Sequence, residues 1–136
     1  MIVVADTCVL IDHLRGVPAA SEALGAYQEV RVSALAVAEL RAVAAELDDG
    51  RTQAAAALDD LLDDCVIVAV DEAIAALAAG IAATTGLPLW DAVVLATARR
   101  DGLTLLTRHH GYGVDAYDAR VAYDPENATA FWQRAQ

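Results

Sequence analysis

The chain contains no lysine. All nine of its basic residues are arginines, set against 20 acids for a formal net charge of −11. An acidic balance of this size excludes a sequence-blind nucleic-acid coat protein, whose affinity comes from cations facing phosphates. Aromatics are scarce, 5% with a single phenylalanine, so the core must be built from alanine, valine, leucine and isoleucine. That mixture suits close-packed helices better than a β-sandwich. There are only two cysteines, Cys8 and Cys65, each inside an apolar run. Two buried thiols are expected there, and nothing supports a disulfide framework. No stretch of about 20 apolar residues is free of charge. The opening residues Met1 to Asp6 lack the basic segment of a signal peptide. The expectation is a cytoplasmic protein with no membrane partner.

Against those absences, 57% of the 136 residues are hydrophobic. A chain of that size and apolar content can bury a core without disulfides or structural metal, and is not a disordered one. With uniform composition and no linker or repeat, residues 1–136 are expected to form a single domain. Strands are expected at residues 2–5, 30–32, 66–70, 103–106 and 119–122. Helices are expected at 9–14, at 18–27, from the cap Ser33 to about 48, at 52–62, from the cap Asp71 to Gly86, and from Pro88 to about 101. Asn127 would cap a terminal helix whose Phe131 and Trp132 dock it. Strands that alternate with helices, each a near-continuous apolar run, indicate an α/β fold. It is a three-layer α/β/α sandwich around a parallel sheet.

In such a sheet, ligands bind beyond the carboxyl ends of the strands. Asp6 directly follows the first strand, and serves either as a helix N-cap or as a site carboxylate. Glu39 shares a helix face with Leu35 and Val43, which puts it at the edge of the core or reaching into a cleft. Asp91 opens a helix beside Val94, Leu95 and Ala98. Complementing the helix dipole explains its place in the first turn but not its apolar neighbours. Three carboxylates from separate elements repel one another unless compensated, and a hard divalent cation such as Mg²⁺ removes that repulsion. Thr107, Arg108, His109 and His110 follow the strand at 103–106 and so reach the same edge, or form an ordinary polar loop. The acidic run from Asp59 to Asp64 is a solvated helix end, because adjacent acids diverge around a helix.

These residues carry a resemblance. The run Val4-Ala5-Asp6-Thr7-Cys8-Val9-Leu10-Ile11-Asp12-His13-Leu14-Arg15-Gly16 resembles the N-terminal signature of PIN-domain ribonucleases of the VapC toxin type. Val32-Ser33 with Ala38-Glu39-Leu40 is similar to the second motif of that family. Leu87-Pro88-Leu89-Trp90-Asp91-Ala92 is similar to the third, and Leu105-Leu106-Thr107-Arg108 to the start of the fourth. The resemblance implies a PIN-like parallel sheet of five strands and an endoribonuclease dependent on Mg²⁺ or Mn²⁺. It also implies a product carrying a 5′-phosphate and a 3′-hydroxyl. By carry-over, Asp6, Glu39 and Asp91 hold the metal and catalyse, with Thr107 as a supporting hydroxyl. The implied partners are a second copy of the chain and a small cognate antitoxin.

The family commonly has an aspartate two residues after the threonine, where this chain has His109. Asp115 and Asp118 follow but lack the motif's spacing. As a ligand, His109 would favour Mn²⁺ over Mg²⁺, since Mn²⁺ tolerates imidazole. As a phosphate contact it would act best when protonated. Arg15 and Arg108, with Arg99 and Arg100, are the arginines available for a local basic rim against RNA. With so acidic a chain, a narrow, structured RNA is expected rather than bulk RNA. A receiver domain needs a lysine, which is absent. An aspartyl phosphatase needs a second carboxylate where Cys8 stands. The remaining alternative is a PIN-fold partner-binding module with a weakened metal site and no significant nuclease activity.

Overall fold

The computed structural model describes residues 1–47 and 53–108, and the backbone of 119–121. Five strands form one sheet: β1 (Ile2–Ala5), β2 (Glu29–Ser33), β3 (Val66–Val68), β4 (Thr104–Thr107) and β5 (Ala119–Val121). The helices are α1 (Thr7–Leu14), α2 (Pro18–Gly25), α3 (Ala34–Leu47), α4 (Ala54–Asp63), α5 (Glu72–Thr85) and α6 (Leu89–Arg100). All four strand pairings are parallel, in the spatial order β3-β2-β1-β4-β5. From β1 the chain winds outward through β2 and β3, then crosses back to β4 on the other side. The crevice between β1 and β4 is therefore the topological switch point, where open parallel sheets bind ligands.

The strand period of two separates the core into halves. Val3 and Ala5 of β1, with Leu106 of β4, pack against α1, α2, α3 and α4. Val4 and Leu105, one residue out of step, pack against α5 and α6. Helices thus cover both faces, giving the three layers expected. Leu40 of α3 is fully buried in the first half, one residue from Glu39. Leu40→Ala is expected to destabilise the protein by about 2–5 kcal/mol, read from urea unfolding.

Several boundaries differ from the sequence expectation. The apolar run at 66–70 yields only Val66–Val68, and Val66 and Ile67 are each 44% exposed. β3 is an edge strand bonded to β2 alone, and an apolar run does not by itself distinguish an edge from a centre. Cys65, expected to be buried, is half-buried, and both cysteines are free thiols. Leu89 and Trp90, in the first turn of α6, are 61% and 45% exposed. Pro88 precedes α6 as its cap residue, its carbonyl accepting from Ala92 N–H at 3.0 Å. Gly86 closes α5 in the left-handed conformation at φ 74°, which favours glycine. The expected terminal helix with Asn127, Phe131 and Trp132 lies outside the described residues. No single helix among the described residues is long and apolar enough to cross a membrane.

Candidate active site

Asp6 joins sheet to helix without an intervening loop. Its amide donates to the Leu106 carbonyl at 2.9 Å, extending the β1–β4 pairing by one residue. Its extended backbone then caps α1, with carboxylate Oδ1 accepting from the Thr7 amide at 2.9 Å. The other oxygen, Oδ2, accepts from the Thr107 hydroxyl at 2.8 Å. The Cys8 thiol lies 3.6 Å from that same oxygen and 3.7 Å from the Thr107 hydroxyl. Asp6 is only 5% exposed, and Thr107 not at all. Asp6 thus caps α1 with one oxygen and turns the other toward Thr107 at the switch point.

Thr7 turns the opposite way and connects this centre to α3. Its hydroxyl donates to Glu39 Oε1 at 3.0 Å, and the Trp90 indole N–H donates to the same oxygen. Glu39 is half-buried, among the apolar neighbours its spacing suggested. No donor among the described residues reaches its other oxygen, Oε2. Asp91 follows Trp90 in the first turn of α6 and is also half-buried. Asp6, Thr7, Glu39, Trp90 and Thr107 are thus one bonded cluster, with Asp91 next in chain to one member. Among the described residues, no three His, Cys, Asp or Glu side chains converge closely enough to hold one ion between them.

The arginines divide by the end of the fold they occupy. Arg108, one residue past β4, places Nε 3.0 Å from Asp12 of α1 and so stays at the carboxyl edge. Arg15 is exposed just after α1. Arg99 and Arg100 end α6, about 12–14 Å along the helix axis from Asp91 at 1.5 Å per residue. A short loop leads from there to the start of β4, so they lie at the amino edge of the sheet. Arg100 pairs with Asp71 and Asp101, each at 3.2 Å. The basic rim envisaged from sequence therefore loses Arg99 and Arg100. His109, Asp115 and Asp118 lie outside the described residues.

Sequence reasoning did not single out Thr7, Trp90 or Asp12. The only signal available was a tryptophan immediately before a helix-opening aspartate, and it does not reveal a bond to Glu39, 51 residues away. Cys8 is buried against the cluster, and burial, then the Asp6 carboxylate, push its thiol up to about 12 from 9.0. Near neutral pH Cys8 is then held almost wholly as the unreactive thiol. Iodoacetamide is expected to label the half-buried Cys65 first and Cys8 only on unfolding, as mass mapping would show. A thiol pKa raised by folding contributes stability that is full below about 9 and lost as pH rises toward 12. Cys8→Ala should flatten that alkaline loss in urea titrations.

A doubly wound parallel sheet with acidic side chains at its switch point defines a class of α/β proteins that act on ligands at the carboxyl edge. The PIN domain family model matches residues 3–112, and the chain belongs to the PIN domain family. A toxin–antitoxin complex from Klebsiella pneumoniae contains a chain similar to it, with a TM-score of 0.81 and 24% identity. That match covers 89% of this chain and 98% of the other. FitAcB from Neisseria gonorrhoeae is 32% identical with a TM-score of 0.65, over 82% and 90% of the two chains. DNA-bound VapBC from Salmonella typhimurium gives a TM-score of 0.74 at 17% identity, over 88% and 98%. No curated protein is similar enough to match.

Proposed function

We propose that this PIN domain, a single domain over residues 1–136, is a metal-dependent endoribonuclease. In this reading it is the toxin of a cytoplasmic toxin–antitoxin pair. The observation that carries the proposal is the pairing of Asp6 and Glu39 through Thr7 at the switch point. Asp6, Glu39 and Asp91 are the residues that would hold Mg²⁺ or Mn²⁺. Their donor set of hard oxygens, with Glu39 Oε2 open, fits a cation bound by one or two carboxylates and otherwise hydrated. Such a cation supplies Lewis acidity and positive charge beside the scissile phosphate.

The chain's own residues do the positioning. The Thr7 amide and the Thr107 hydroxyl take one oxygen of Asp6 each and fix the plane of its carboxylate. Thr7 and Trp90 fix Glu39 by the same oxygen, so its other oxygen has one orientation. Asp12 holds Arg108 at the carboxyl edge, where its guanidinium can meet RNA phosphates; Arg15, exposed at the far end of α1, is the second arginine assigned to RNA. His109, two residues past Thr107, is assigned to metal or phosphate contact. The net charge of −11 restricts the substrate to a structured RNA recognised locally, and steers a small, arginine-bearing antitoxin toward the chain. The similar chain from Klebsiella occurs in a toxin–antitoxin complex, which supports that partner. A homodimer completes the assembly proposed.

The test is direct. Purified protein is incubated with total RNA in Mg²⁺, Mn²⁺ or EDTA, and any cuts are mapped. Discrete cuts in either metal and none in EDTA are expected. A second reading, a partner-binding PIN module with a weakened site, is favoured by two observations. His109 stands where the family commonly has aspartate, and no described trio of ligands converges. Intact RNA in both metals, together with antitoxin binding, would decide for that module.

A further inference from the structure

Trp90 combines two properties that seldom coincide. Its indole N–H is tied to Glu39, a carboxylate of the proposed site, yet the residue remains 45% exposed. Burial elsewhere takes most of the large apolar side chains, and Leu95 on the same helix is fully buried. A bond to Glu39 anchors one edge of the ring, and nearly half of the residue stays open to solvent beside the carboxylate cluster. The affinity problem of the acidic chain bears on this position. Cations cannot supply much binding to RNA here, whereas a base stacking on an aromatic face needs no charge. A base can stack only if it is already unpaired, as in the loops of folded RNA.

We propose that Trp90 is the stacking platform for an unpaired nucleobase beside the scissile phosphate, and so selects RNA loops over duplex. This rests on the ribonuclease reading for the location of the cut, but not for the binding itself. The two roles of the ring separate chemically. Phenylalanine keeps an aromatic face and loses the N–H that fixes Glu39; leucine loses both.

The test uses the full chain as Trp132→Phe, which leaves Trp90 the sole tryptophan, combined with Asp6→Asn to prevent cutting. The probes are a hairpin RNA with a single-stranded loop and a blunt duplex of its stem. The hairpin is expected to quench the Trp90 emission and the duplex not to. Trp90→Leu should weaken hairpin binding by about fivefold to about 150-fold, the range for losing one stacked base. In the otherwise wild-type enzyme, Trp90→Phe should lower kcat with KM nearly unchanged, while Trp90→Leu should raise KM as well. Equal hairpin affinity in wild type and Trp90→Leu overturns the platform, even if the wild type cuts RNA. Emission that shifts with protein concentration alone and ignores RNA also overturns it, since a second copy then covers the ring. If wild type cuts nothing, hairpin-specific quenching still supports the platform and only the ribonuclease reading fails.

Discussion

Asp6→Asn is expected to abolish RNA cleavage while leaving the fold within about 1 kcal/mol of wild type, because asparagine caps a helix as well as aspartate does. The amide keeps one oxygen to accept from the Thr7 N–H, the bond that caps α1. Its nitrogen would replace Oδ2 opposite Thr107, whose hydroxyl can rotate from donor to acceptor. What disappears is the negative charge at the switch point. Loss of a cation's principal carboxylate removes several kcal/mol of transition-state stabilisation, or at least about a hundredfold in rate. Asp6→Ala gives the contrast, losing the cap as well, at about 0.5–2 kcal/mol. Cleavage assays and urea unfolding on the same preparations separate the two effects. In cells, wild-type chain expressed without an antitoxin should arrest growth, and Asp6→Asn should not. Cleavage by Asp6→Asn at the wild-type rate would sink the site assignment, and equal toxicity the nuclease explanation of arrest.

The contrast between Asp6 and Glu39 shows what was legible in the sequence. Asp6 could be located because a β-branched run ends at Ala5 and a helical pattern begins at once, so the residue between them must lie at a strand's carboxyl end. The same logic found β4, shifted by one residue so that Thr107 ends the strand instead of following it. Glu39 was visible as a charge out of place on an apolar face, but its partners were not. Thr7 is 32 residues away, and only the β1–β2 register places the two helices that follow side by side. The edge position of β3 was hidden for a related reason: valine and isoleucine run together in both central and edge strands. Arg100 showed the limit of a composition argument, since a basic residue near a helix end serves substrate or neighbour according to which edge of the sheet that end reaches. The short connection from α6 to the start of β4 puts it on the amino side, where it pairs with Asp71 and Asp101.

Glu39→Gln is the sharper test of the cluster, because the substitution can keep every described bond of that side chain. Glutamine's carbonyl can occupy the Oε1 position and accept from both the Thr7 hydroxyl and the Trp90 indole. The NH₂ group then falls where Oε2 was, the oxygen that no described donor reaches. For a purely structural carboxylate this exchange is nearly neutral, since its neutral donors are satisfied equally well by an amide oxygen. For a carboxylate that receives a cation it is severe. The charge is gone, and two N–H groups, which cannot accept, face the place the ion would take. The expectation is unchanged urea stability, to within about 1 kcal/mol, with cleavage reduced at least about a hundredfold. Calorimetric Mn²⁺ binding, measured without RNA, should weaken in parallel. Wild-type cleavage and Mn²⁺ binding in Glu39→Gln would make Glu39 an anchor for Thr7 and Trp90 only. The proposed cation would then have to be held by Asp6 and Asp91 alone.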